Sequence, residues 1–124
     1  MTPILGDLVE RVQRAGVPVE VVVTGPLRAL SPGADLCAYR IVQESLTNVI
    51  KHARPASARV RLSYDAAALT VTVTDDGGGP PPEQRTGVGH GLVGMRERAR
   101  VYGGSLTAGP GPERGFQVIL RLPL

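Results

Sequence analysis

Apolar positions along this chain change period several times, and each change marks an element. Ile4, Leu5, Leu8, Val9 and Val12 recur at helical spacing over residues 3–15, just before Gly16. This predicts a short amphipathic helix with a glycine stop. Residues 17–24 hold five valines, with Pro18 near the start and Gly25-Pro26 after the end, which reads as a buried strand, and residues 27–30 connect it to the next element. Ser31-Pro32 opens a long helix, with serine at the cap, proline at the first helical position and Asp35 near the positive end of the dipole. That helix is predicted to reach Ala53, because Arg54 precedes Pro55 and is steered away from helical geometry. Tyr39, Val42, Leu46, Val49, Ile50 and Ala53 wind onto one side, which reads as core. Arg40, Glu44, Asn48, Lys51 and His52 wind onto the other.

Strict alternation follows. Ala58, Val60, Leu62 and Tyr64 interleave with Arg59, Arg61 and Ser63, and Leu69, Val71 and Val73 with Thr70, Thr72 and Thr74. Two half-buried strands joined as a hairpin are predicted. From Asp75 the pattern dissolves into DDGGGPPPEQRTGVGHG, a long loop of the kind that is functional or disordered in a compact domain. Leu92, Met95, Ala99 and Tyr102 then mark a helix ending at Gly103-Gly104. Leu106 to Ala108, and Phe116, Val118, Leu120 and Leu122, predict two closing strands. The predicted fold class is α/β of the α+β type, a two-layer sandwich with helices on one face of a mixed, largely antiparallel sheet. Its 124 residues make one domain, 1–124, without internal repeat or linker.

Composition narrows the function. The single cysteine, Cys37, with His52 and His90, cannot build a disulfide scaffold or a structural zinc site, and Cys37 reads as a small buried or half-buried residue. No apolar run approaches the roughly 20 residues that span a bilayer, and no secretion signal opens the chain. No membrane contact and a cytoplasmic location are expected of this domain. Net charge is +3, but aromatics are only 3% and the arginines are dispersed, so direct nucleic-acid binding is not expected. Lys51, the only lysine, lies in no GxxxxGK[ST] motif, which excludes a P-loop.

Three stretches carry candidate chemistry. Glu44, Asn48, Lys51 and His52 are spaced i, i+4, i+7 and i+8, so they share a helix face. An amide oxygen from Asn48 suits a magnesium ion otherwise held by phosphate and water. Lys51 and His52 can balance phosphate charge, and Glu44 can act as a general base. The same pattern also fits a solvated polar face. Asp75 continues the inward alternation of Leu69, Val71 and Val73, where a carboxylate needs a donor such as the exocyclic amine of adenine. Asp-Asp-Gly is equally ordinary turn chemistry. Gly87, Gly89 and Gly91 just precede a helix and can admit an anion to backbone amides. GHGLVG fits GxGxxG, but no strand precedes it and no second βαβ unit follows, so a dinucleotide site is rejected. His90 alone reads as a surface residue.

Taken together, YRIVQESLTNVIKHA, VTDDGGG and GVGHGLVGMRERARVYGG resemble the asparagine box and the two glycine boxes of sensor histidine kinases. The similarity is to the nitrate-sensor-like branch and covers residues 36–124. It implies the Bergerat ATPase fold, with ATP and Mg2+ as cofactors. Glu44 would be the catalytic asparagine-box glutamate and Asn48 the metal ligand, with Lys51 and His52 near the phosphates. Asp75 would recognise the adenine amine, Gly77 and Gly79 would line the base pocket, and Gly87, Gly89, His90, Gly91 and Leu92 would fall in the ATP lid and phosphate region. The implied reaction moves the γ-phosphoryl group of ATP to a histidine and then to an aspartate on a response regulator with a helix-turn-helix output. The family's dimerisation and phosphoacceptor region is not among these residues. Neither His52 nor His90 is therefore a phosphoacceptor, and the chain alone is not expected to autophosphorylate. Gly115-Phe116 stands where many relatives have Gly-Thr. Two alternatives are a stand-alone serine kinase of anti-sigma-factor type, which GMRERA disfavours, and a non-catalytic nucleotide-sensing module.

Overall fold

The computed structural model describes residues 2–53, 56–77, 88–112 and 114–124. Its elements are α1 (Thr2–Arg14), β1 (Val19–Thr24), α2 (Pro32–Asn48), a π-helical turn (Val49–Ala53), β2 (Ala58–Tyr64), β3 (Ala68–Asp75), α3 (Val88–Val101), β4 (Ser105–Pro110) and β5 (Phe116–Pro123). Local chemistry accounts for several boundaries. Ser31 Oγ accepts from the Ala34 amide at 3.2 Å, and Pro32 occupies the first turn of α2, so the cap meets one of the orphan donors of a helix start. Between β2 and β3, Asp65 Oδ1 accepts from the amides of Ala67 and Ala68 at 2.7 and 2.8 Å. Those bonds close the predicted hairpin.

The sheet order is β1-β2-β3-β5-β4, with β1 parallel to β2 and the other pairs antiparallel. Alternation decides which face each residue takes. Val60, Leu62, Val71, Val73, Val118, Leu120 and Leu122 are buried. Their neighbours Arg59, Arg61, Thr72, Thr74, Gln117 and Arg121 share the opposite face by register. α2 packs on β3 and β5, α3 on β4 and β5, and α1 on α2 and β1. The predicted two-layer arrangement is therefore found, with one connected core between the layers. Among the described residues no helix is long and apolar enough to cross a membrane.

Four predictions need correction. The valine-rich strand is not buried: β1 is the sheet edge, and Val21 and Val23 remain 39% and 41% exposed, because a continuous apolar run does not tell an edge from a centre. The long helix does not stay α-helical to Ala53, since hydrogen bonding switches to the wider π pattern at Val49. Its buried stripe runs through Ala34, Cys37, Ala38, Ile41, Val42, Ser45, Leu46 and Asn48. Tyr39 sits at its margin, where its hydroxyl accepts from Arg11 Nη2 at 3.2 Å, and Ile50 is only half-buried. Finally, Gly89 and Gly91 do not precede the third helix but lie within α3. A glycine there costs about 1 kcal/mol relative to alanine, and packing of Met95 and Ala99, 4% and 0% exposed, offsets it.

Candidate functional site

Two buried polar side chains stand out on the helix side of the sheet. Asp75 closes β3 and is only 4% exposed, and Asn48 closes α2 at 7%. Asp75 arrives there by the period of its strand, two residues beyond buried Val73. Its Oδ1 accepts from the Gly77 amide at 2.9 Å, and among the described residues Oδ2 has no partner. Asn48 comes inward three residues after buried Ser45. Ser45 is satisfied, because its hydroxyl donates to the Ile41 carbonyl at 2.7 Å. The Asn48 side-chain amide has no such bond among the described residues. A buried polar group left without a partner costs about 1–3 kcal/mol, so both positions invite a ligand.

Backbone packing joins the two positions. Gly77 is buried, and a Cβ there would run into the carbonyl oxygen and the side chain of Ala53, the last residue of the π turn. The end of β3 is thus pressed against the end of the helix that carries Asn48. Gly115, at φ +81° and just before β5, supports Asp75: a Cβ on it would strike the Asp75 carbonyl and approach its Oδ1 to 2.7 Å. Phe116, beside it, is 5% exposed and belongs to the core.

The remaining predicted residues are placed as follows. Glu44 is half-buried one turn before Asn48. Lys51 is exposed and His52 half-buried, both in the π turn that follows Asn48. Gly89, His90, Gly91 and Leu92 lie on the first turns of α3. Gly79 and Gly87 fall outside the described residues.

Three residues that the sequence does not advertise hold the turn after Asp75. Asp76 Oδ1 accepts from the Ser57 amide at 2.7 Å and Oδ2 from the Ser57 hydroxyl at 2.8 Å, while Arg114 Nε donates to the Asp76 carbonyl at 2.6 Å. The Ser57 amide and hydroxyl, with the nearby Arg114 guanidinium, hold the Asp76 carboxyl below the usual aspartate range. These contacts span 19 and 38 residues, and no local pattern announces them. Burial pushes the Cys37 thiol up, against a smaller opposing pull from Arg98, so it remains an inert core residue.

A cavity of about 970 Å³ runs over the opposite face of the sheet, along Arg59, Arg61, Thr72, Thr74 and Gln117, and reaches the edge of the site at Ser57, Asp75, Asp76 and Arg114. It is not the space between Asn48 and Asp75, and its size does not make it the ligand site. Among the described residues no three His, Cys, Asp or Glu side chains gather to hold a metal ion. A cation beside Asn48 would take most of its ligands from elsewhere, as magnesium does with phosphate and water.

A helix layer thus covers a mixed sheet, with a buried carboxylate at the end of β3 and a buried amide at the end of α2. The profile of the histidine kinase-, DNA gyrase B- and HSP90-like ATPases matches residues 34–124, and the chain belongs to that family. Among curated relatives, the sensor histidine kinase YxjM of Bacillus subtilis is 38% identical, over all of this chain and 30% of its own length. NarS of Mycobacterium tuberculosis is 34% identical, over 90% of this chain and 26% of its own. The chain thus spans less than a third of these relatives. Among solved structures, the mycobacterial sensor histidine kinase MprB superposes with a TM-score of 0.74 at 26% identity, covering 99% of this chain and 95% of that one.

Proposed function

We propose that this chain binds ATP with Mg2+ and supplies the γ-phosphoryl group for autophosphorylation of a histidine on the dimerisation domain of a two-component sensor kinase. In the transfer, an imidazole nitrogen forms a bond to the γ-phosphorus, the bond to the β–γ bridging oxygen breaks, and ADP leaves with those electrons. Glu44, one helical turn from Asn48, takes the imidazole proton as general base. Asp75 accepts from the adenine amine, and Gly77, which lets the end of β3 close against Ala53, keeps that carboxylate beside the end of the helix. Asn48 would hold the magnesium ion, which supplies charge neutralisation on the phosphates. Lys51, His52 and the start of α3 face the phosphate end. A response regulator with a helix-turn-helix output then receives the phosphoryl group on an aspartate.

The observation that carries this reading is the burial of Asp75 Oδ2 and the Asn48 side-chain amide without a partner among the described residues, in a chain of this ATPase family. Calorimetric titration with ADP and ATP, with and without magnesium, tests it. Asp75→Asn replaces one acceptor oxygen by a donor opposite the amine and should weaken ADP at least tenfold, since a misplaced buried donor leaves both groups unsatisfied. Unchanged affinity would remove the adenine assignment. The relatives being sensor histidine kinases favours phosphohistidine over the phosphoserine of an anti-sigma-factor kinase.

A further inference from the structure

Beyond Asp75 the chain leaves the sheet, and the ladder no longer fixes its position. Two long-range contacts take over. On the β2 side, the Asp76 amide donates to the Ser57 carbonyl at 3.2 Å while the Asp76 carboxylate receives both the amide and the hydroxyl of Ser57. On the β5 side, Arg114 Nε donates to the Asp76 carbonyl, and the next residue, Gly115, lies flat against Asp75. The Gly111 amide donates to the Gly115 carbonyl at 3.0 Å, closing the turn that presents Arg114. Asp75 is therefore flanked by contacts from two sides, Ser57 before β2 and the Arg114-Gly115 turn before β5.

We propose that Arg114, acting with Asp76 and Ser57, is a positioning clasp that sets the Asp75 carboxylate against the base and so sharpens the preference for adenine. The proposal rests on the adenine assignment of Asp75. A hydrogen bond weakens steeply with misalignment, so a small drift of this turn costs base recognition before it costs folding. Arg114 itself is exposed, and its hydrogen bond goes to the backbone carbonyl of Asp76. Its effect on nucleotide passes through Asp75.

The test measures ADP and GDP affinity by calorimetry for the wild-type chain and for Arg114→Ala, Arg114→Lys, Ser57→Ala and Asp75→Asn, with melting curves as a control. Arg114→Ala should weaken ADP about fivefold, the worth of one net hydrogen bond, with little change for GDP, so that the ADP-to-GDP ratio narrows. Arg114→Lys, which keeps a cationic donor, should recover most of that ratio, and Ser57→Ala should narrow it less than Arg114→Ala. An unchanged ratio in Arg114→Ala, or an equal loss for both nucleotides, overturns the clasp. If Asp75→Asn still loses ADP in that case, only the clasp has failed. If Asp75→Asn also binds ADP normally, the adenine assignment has failed and the clasp falls with it.

Discussion

Asp76 and Asp75 are adjacent carboxylates with opposite surroundings, one exposed and tied to Ser57, the other buried with an acceptor to spare. The difference has a pH signature. The Ser57 amide and hydroxyl keep the Asp76 carboxyl below the ordinary value of 3.8. The stability it contributes is therefore complete above that value and is lost as pH falls through the depressed one. Asp76→Asn should melt lower than wild type at neutral pH, and the gap should close as the pH falls below the ordinary aspartate value and through the depressed one. Asp65, held down by the amides of Ala67 and Ala68, should add a loss in the same direction. A constant gap across that range would separate Asp76 from Ser57. At this scale the inward aim of Asp75 was legible, because strand alternation has a period of two and admits only two faces. Burial of Asn48 was less so, since a helix margin is decided by what packs against it.

At the scale of elements, the contact between β3 and the π turn is a backbone contact, and side-chain adjustment cannot relieve it. Gly77→Ala places a methyl group against the Ala53 carbonyl. Overpacking of that kind costs about 1–3 kcal/mol, so a lower urea midpoint together with weaker ADP binding is expected, and wild-type values for both would refute the close approach. Ser31→Ala removes the cap of α2 and should cost about 1 kcal/mol in the same unfolding measurement, without altering nucleotide affinity. The hairpin, the capped start of α2 and the closing strands were all readable, because each depends on residues near one another in the chain. The π turn was not, since Val49, Ile50 and Ala53 continue the same apolar spacing that an α-helix would show. The edge position of β1 was equally hidden: its neighbour β2 follows only after α2, and burial depends on which side of the sheet it joins.

For the whole molecule, the phosphoryl donor site and the acceptor histidine are proposed to sit on separate domains. The chain incubated with labelled ATP should remain unlabelled by itself and should label a histidine-bearing dimerisation domain added in trans. The label should be lost in acid, as phosphohistidine requires; acid-stable label would support the serine kinase alternative. Glu44→Gln should slow single-turnover transfer by about 10²-fold or more, the usual contribution of a general base, and an undiminished rate would favour a nucleotide-sensing role. Sequence alone determined which residue types were present in which order: an amide and a glutamate one helical turn apart, an acid at an inward strand position, and glycines after it. Those are local properties set by period and composition. Tertiary structure alone decided that Gly77 meets Ala53, that Gly115 backs Asp75, and that Ser57 and Arg114 close on Asp76 from the residues leading into β2 and β5, because contacts across 19 and 38 residues depend on sheet order and register rather than on anything a neighbouring residue encodes.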